Sequence, residues 1–340
     1  MLLRNLIFKG MHKLIILFSF LCVNQLMMAD QFDTIFAIAK RAPSSHNAQM
    51  WKVEKIDSCE CMISMDSSVC LPQIDPNNRE SWISIGAFVE NCVKAGYDLG
   101  YDITVRKYPQ RVRLKITGRK REEHLYIPLI NQRHTTRTAF EKRMLDEQSL
   151  QYDNCLYIPR FSELGEKIAD NIYDANKLQI GNKRKAEELS GWMVTSYKEL
   201  RNRNDGLTPD MLGIHGLKKF LFLSLFDKHS IQSSRFEKQY LSSTKRQLDH
   251  CSGFLLLFSE RQSKEDDWFN VGRELERIWL DLTNRQIAVH PMSQSIEEVD
   301  CYNKLKVILN DERDIQMILR IGYVKSLSKK DLYSKRRSIF

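Results

Sequence analysis

Apolar residues recur every three or four positions at Phe32, Ile35, Phe36, Ile38 and Ala39, which predicts a helix over 31–41. Pro43 biases Ala42 away from the α region and stops that helix. Extended spacing at Trp51, Val53 and Ile56 predicts a strand over 51–57, with a second over 61–65. A polar loop over 66–79 holds Pro72, Pro76 and Asn77-Asn78. Ser81 then reads as the cap of a long helix whose face carries Trp82, Ile85, Val89, Cys92, Val93 and Leu99, with Gly100 as its stop. Short strands are expected at 103–105 and 112–116. From about 160 to 250 the pattern is mainly helical, broken by an Asn-, Gly- and Pro-containing loop over 202–216. The run 220–226 is continuously apolar, as suits a buried segment, a lid or a partner-facing helix. Residues 253–258 are short and apolar throughout, the pattern of a strand covered on both faces. A helix over 268–286 and a closing strand over 317–324 complete a mixed α+β chain.

Two of these helices resemble each other. At an offset of 186, Trp82, Gly86 and Glu90 fall on Trp268, Gly272 and Glu276, and Ile83, Ile85 and Val89 fall on Phe269, Val271 and Leu275. Glycine inside a helix costs about 1 kcal/mol relative to alanine, so two in register imply close helix packing. The match reads as an internal duplication.

Composition adds limits. The chain has 340 residues, 42% hydrophobic with 16 Phe, enough for two domains or one large one. The net charge of +9 is uneven, with six basic residues and one acid over 325–337. Such a run reads as a solvated end or a phosphate neutraliser, and aromatics do not interleave with it as a nucleic-acid surface requires. At the N-terminus, Arg4, Lys9 and Lys13 precede an apolar run over 14–23. That run is short for a membrane span, which needs roughly 20 residues, and fits a signal peptide or anchor over 1–29 and an exported or tethered protein; a cytoplasmic protein with an apolar first helix is the alternative. Ala29 is the candidate cleavage residue. The eight cysteines include no Cys-x-x-Cys pair, and they read mainly as buried thiols rather than zinc ligands.

The chemistry concentrates in the turn over 41–51. Pro43, Ser44, Ser45 and Asn47 sit on turn backbone with side chains suited to grip a polar ligand, or to build the turn itself. Ala-Pro-Ser-Ser-x-Asn-x-Gln-x-Trp resembles the flavin-contacting turn of the nitroreductase family, with Met50 where the family usually has proline. With the duplication, the resemblance implies a nitroreductase-like α+β fold, an internally duplicated pseudo-dimer with long central helices, as in the Acg-like branch. The first half would run over 30–125, and the second, with a helical insertion, over 126–340.

That resemblance implies one FMN per chain, bound between the halves. Arg133, His134, Thr135 and Arg137 match the family's basic cluster. Pro291, Met292 and Ser293 stand where its Pro loop belongs, and Arg336 and Arg337 follow the last strand. Arginine suits a phosphate dianion because its fork binds two oxygens at once. Arg133 and Arg137, four apart, would share one helix face. Ser44, Ser45 and Asn47 would bond the ring, with the backbone N–H groups of Met292 and Ser293 near its reactive side. His46, His134 and His290 are read as turn residues without a proton-transfer role. The implied function is a monomeric FMN oxidoreductase, with NAD(P)H as donor and a small acceptor such as a nitroaromatic or quinone. No catalytic side chain and no metal are assigned. The rivals are an FMN storage or sensor protein with a covered flavin, and an interaction protein whose fold has lost its flavin.

Overall fold

The computed structural model describes residues 31–262, 264–325 and 334–339. The segment expected to be a leader or anchor lies outside them. Helix α1 (Gln31–Ala39) buries Phe32, Ile35, Phe36 and Ala39, as its periodicity requires. After the turn, β1 (Trp51–Asp57) pairs with β2 (Glu60–Met65), helix α2 (Arg79–Asp98) follows, and β3 (Tyr101–Tyr108) and β4 (Arg111–Arg119) form a hairpin. These strands make an antiparallel sheet of order β1-β2-β4-β3. Ser81 is not the cap of α2. The Asp75 carboxylate accepts from the N–H groups of Glu80 (3.0 Å) and Ser81 (2.9 Å), and Ser81 donates its hydroxyl to the same carboxylate.

Helix α3 (Tyr126–Gln132) and a non-helical segment lead to the second sheet. Its strands are β5 (Cys155–Pro159), β6 (Gly253–Ser259), β7 (Ala288–Pro291) and β8 (Asp314–Gly322), antiparallel in the order β5-β6-β8-β7. Helix α9 (Glu265–Asn284) lies between its second and third strands, as α2 does in the first. Five helices separate β5 from β6: α4 (Glu163–Gly181), α5 (Lys183–Trp192), α6 (Tyr197–Asn202), α7 (Gly216–Leu225) and α8 (Ser234–Asp249). Short α10 (Gln294–Glu297) and α11 (Val299–Leu309) separate β7 from β8. Strands β5 and β7 are new relative to the sequence reading. Both are short edge strands, and the proline ending β7 is tolerated on an edge, where its missing N–H breaks no ladder.

The two long helices pack on each other, and both glycines of the repeat lie in the seam. A Cβ on Gly86 would strike the Phe269 carbonyl, and one on Gly272 would strike the Ile83 carbonyl. Ile83 and Phe269 are themselves equivalent at the 186 offset, so the contacts are reciprocal, as across a two-fold axis. One core gathers α1, α2, α3 and the first sheet, and takes in Phe269 and Ile339. Two others lie on opposite faces of the second sheet.

Two expectations about charge need correction. Residues 133–137 do not form a helix: Arg133 ends α3, Thr135 bridges Val289 in parallel, and the Thr136 N–H donates to the Val289 carbonyl at 2.9 Å. The free edge of β7 draws the segment out, so Arg133 and Arg137 share no helix face. Nor is the basic C-terminal run solvated throughout, since residues 334–339 dock against the 41–49 turn. Among the described residues, no helix is long and apolar enough to cross a membrane.

Candidate functional site

The 41–51 turn carries three non-glycine residues in the left-handed region, His46, Asn47 and Gln49, with φ of 52°, 55° and 56°. Such backbone is costly for each and persists only where its surroundings enforce it. The clamp comes from distant chain. Asn47 donates to the carbonyls of Gly206 (3.1 Å) and Lys335 (3.2 Å) and accepts from Arg336. Gln49 donates to the Asn204 carbonyl at 2.9 Å and accepts from the Arg337 N–H at 2.8 Å. Met50 is fully buried and fills a small core with Ala48, Leu71 and Ile74.

The expected ring-contacting side chains are therefore largely engaged within the protein. Ser44 Oγ accepts from the Gln49 N–H at 3.1 Å, and Ser45 donates to Glu80. Of the two readings of these side chains, the turn-building one accounts for the contacts they make within the protein. The Met292 N–H is engaged as well, donating to the Ile318 carbonyl at 2.8 Å.

Beside the turn lies a cavity of about 440 Å³. It draws walls from both halves: Pro43, Ser44, Ser45 and Asn47 from the first, and Arg133, His134, Thr135, Arg137, Pro291, Met292, Ser293 and Arg336 from the second. Arg337 is not among the lining residues. Its guanidinium donates to the carbonyls of Ala48 and Gln49 and lies 3.7 Å from Asp66 and 3.8 Å from Asp205, so it braces the turn from outside.

The cavity is strongly positive. Arg133 is 4% exposed, donates to the Arg41 carbonyl at 2.5 Å, lies over the Trp279 ring and stands 3.3 Å from Glu276. Its Nη1 has no hydrogen-bond partner among the described residues. Burial pushes the Glu276 carboxyl up to about 7 against the pull of Arg133, so the counter-charge is itself partly neutralised. Burial pulls the Arg137 guanidinium down to about 10, and it donates to the Met211 carbonyl at 2.8 Å. Burial, then the nearby charges of Arg133 and Arg41, pull Arg336 down to about 9. All three arginines stay charged at neutral pH, and among the described residues no carboxylate pairs directly with Arg137 or Arg336. Buried cations with so little compensation call for an anion.

One more buried group, Arg320, escaped the sequence reading, and another, His290, expected in a turn, lies instead in strand β7. Arg320, fully buried in β8, donates to the carbonyls of Gln247, His250, Thr136 and Thr138 and stacks on Phe140. It ties the cationic segment to the sheet. Its signal was an arginine inside an apolar strand. His290, opposite Arg320 in the ladder, lines the cavity with Nδ1 unpartnered, and burial with two arginines holds it well below the usual imidazole range.

The helical insertion supplies the apolar wall. Ile180, Met193, Leu212, Phe222, Phe226 and Phe236 face the cavity; Phe222 stacks on Phe226, and Phe236 meets Phe226 at a tilt of 45°. The apolar run of α7 thus resolves into two faces. Phe222 and Phe226 turn inward, while Leu217, Phe220, Leu221 and Leu225 are exposed.

The residues fit a flavin mononucleotide: cationic donors for its phosphate, and an apolar, aromatic wall for its ring, in a volume typical of cofactor sites. Among the described residues, no group of His, Cys, Asp or Glu is arranged to hold a metal ion.

No family model matches the chain. Two curated proteins of Mycobacterium tuberculosis do, one from strain CDC 1551 / Oshkosh and one from strain ATCC 25618 / H37Rv, both provisionally named NAD(P)H nitroreductase. Each is 32% identical over 83 residues, which is 24% of this chain and 23% of the relative. The chain thus matches about a quarter of the length of these relatives, and over that stretch it is related to proteins named as nitroreductases.

Proposed function

We propose that the protein is an FMN-dependent oxidoreductase of the nitroreductase type, which takes hydride from NAD(P)H and passes it to a small acceptor such as a nitroaromatic or quinone. The observation that carries this reading is the cavity between the halves, lined by the buried Arg133, Arg137 and Arg336, where the acid beside Arg133, Glu276, is itself partly neutralised. In it, Arg133, Arg137 and Arg336 hold the phosphate, with Thr135 as a further donor. The flavin, when bound, supplies the hydride chemistry. The protein's part is to bind it, orient it and exclude water. Pro43, Ser44, Pro291 and Ser293 flank the ring, and the insertion closes over it. We also infer that the two halves derive from one duplicated unit, because strand order, helix position and the reciprocal glycine contacts agree, and that one site per chain survives. The direct test is the absorbance spectrum of the purified chain, followed by anaerobic NADPH or NADH. Flavin bands that bleach support the reductase. A colourless protein that takes up no added FMN sinks the reading.

A second reading is a storage or sensor protein with a covered flavin. It is favoured by the row Phe222, Phe226 and Phe236 lying against the cavity. Flavin bands that persist in excess NADPH and NADH would select it.

A further inference from the structure

The cavity has a second polar wall that the cationic reading leaves unused. Glu80, in the first turn of α2, and Glu297, the last residue of α10, both line it, one from each half, and the two buried carboxyl groups stand close enough that each shifts the titration of the other. Two carboxyl groups so placed do not both ionise readily, and one proton stays with the pair. Their surroundings assign it. Glu80 accepts from Ser45 Oγ and, at 3.0 Å, from Arg79 Nη2, both of which favour its ionised form. Glu297 accepts from Gln179, a neutral donor.

The other groups around the pair leave little competition for that proton. His46 faces it from the turn, Asp75 from the loop before α2, and Tyr240 from α8, with Arg137 beyond His46 and Tyr240. Glu298, next along the chain, is tied to Lys185 at 2.5 Å. Burial drops the His46 imidazole to about 4 and lifts the Asp75 carboxyl to about 6 with help from Glu80, so at neutral pH both are mainly deprotonated. Burial and the Glu80 charge hold Glu297 well above the carboxylate range. For Glu80, burial is outweighed by Arg79, Glu297 and Ser45, and its carboxyl falls below that range. Independently, the cavity asks for a ligand: Arg133 Nη1 and His290 Nδ1, on side chains 4% and 8% exposed, have no hydrogen-bond partner among the described residues.

We propose that Glu80 and Glu297 form a proton-sharing pair, carried on Glu297, that delivers a proton to a molecule reduced in the cavity. The proposal rests on the redox reading above. In the step, the Oε–H bond of Glu297 breaks, its electron pair stays on the carboxylate, and an O–H or N–H bond forms on the acceptor. The acceptor's two electrons arrive as hydride, drawn from a dihydronicotinamide through the bound flavin. The doubly ionised pair is held by Arg79 and Ser45 until water returns the proton.

The first readout needs no flavin. Infrared spectra of the flavin-free chain in H2O and D2O should contain a protonated carboxyl band that persists at pH 7 and is lost in Glu297→Gln. The second is rapid kinetics of the loaded enzyme. In Glu297→Gln, acceptor-driven reoxidation should fall about a hundredfold relative to NADPH-driven bleaching, and the wild-type loss of rate at high pH should vanish. Absence of the band at pH 7 overturns the pair itself. A band without any effect on reoxidation overturns delivery and leaves a structural proton. A band in a chain that binds no flavin overturns the redox reading, and the delivery step with it. Gln keeps the size and a donor at position 297, so the variant tests the proton rather than the packing.

Discussion

The two sheets share strand order and the place of their long helix, yet they are buried differently. In the first sheet, β3 alternates between half-buried and exposed residues. One face rests on α2 and the other meets water. In the second, every residue of β6 is buried, and so is nearly all of β8. Leu255 and Leu257 point to the core under α9, while Phe254, Leu256 and Phe258 point to another built with Ile168, Ile172 and Leu305 from α4 and α11. The same strand order and helix position thus occur in both sheets, and only the second sheet carries an extra layer. That layer brings the helices between β5 and β6, and with them the apolar wall of the cavity. The first half of the chain contributes the strained turn, and the second the arginines and the cover. The frame accounts for stability, and the elaboration accounts for the site.

The largest effects should come from the seam between the two long helices. Gly86→Val and Gly272→Ala each drive a side chain into a backbone carbonyl of the opposite helix, where no flexible atom can give way. Overpacking of this kind costs about 3 kcal/mol or more. The measurement is the denaturation midpoint. A large loss from one glycine and none from the other would break the reciprocity.

Much of this frame is legible in the sequence, because it follows from local pattern. The helix repeat, the glycines and the uninterrupted apolar strand 253–258 are periodic signals, and each has its counterpart in the fold. What escapes is set by distant chain. Arg133 and Arg137 are extended because β7 offers a free edge, and no local propensity records that. The turn's serines and asparagine look free in sequence, but they bond to Glu80, Gly206, Lys335 and Arg336, up to nearly 300 residues away. Glu80 and Glu297 line one cavity although they lie far apart along the chain, and no local pattern records that.

The next effect tests the link between the extra layer and the cationic wall. Arg320→Leu leaves four buried carbonyls without their shared donor. Removing one partner of such a buried charge network costs about 3 kcal/mol. The readout is again the denaturation midpoint, followed by FMN affinity. If stability falls while FMN affinity holds, Arg320 serves the sheet alone.

A sharper comparison lies in the tail, between adjacent arginines. Arg336 lines the cavity, and Arg337 braces the turn from outside. A charge-assisted hydrogen bond is worth about 2 kcal/mol, so Arg336→Ala and Arg137→Ala should each weaken FMN binding roughly thirtyfold by titration. Arg337→Ala should change it less than about threefold. Equal losses at 336 and 337 would mean that the tail acts only by holding the turn.

A last comparison separates the two glutamates that the repeat places in register. Glu90 is surrounded by three cations, with Arg273 at 2.9 Å, Arg277 at 3.5 Å and Lys94 at 3.9 Å. Among the described residues Glu276 forms an ion pair with Arg133 only, with Arg336 acting from farther off, and burial lifts its carboxyl to about 7. A raised carboxyl keeps in the folded state a proton that the unfolded chain releases above about 4.5, so its stabilisation is complete at low pH and is lost as pH rises toward 7. His46 and His290 act in the opposite direction, since their lowered folded values make stability fall as pH drops below about 6.5. These terms, and those of Asp75 and Glu297, are common to wild type and Glu276→Gln, and they cancel in the difference between the two. That difference should therefore shift against wild type by about 3 kcal/mol between pH 4.5 and pH 7, then flatten. Denaturation at matched pH values reads it directly. A flat difference would mean that Glu276 stays ionised throughout, so that Arg133 is fully neutralised and the cavity has one fewer reason to take an anion.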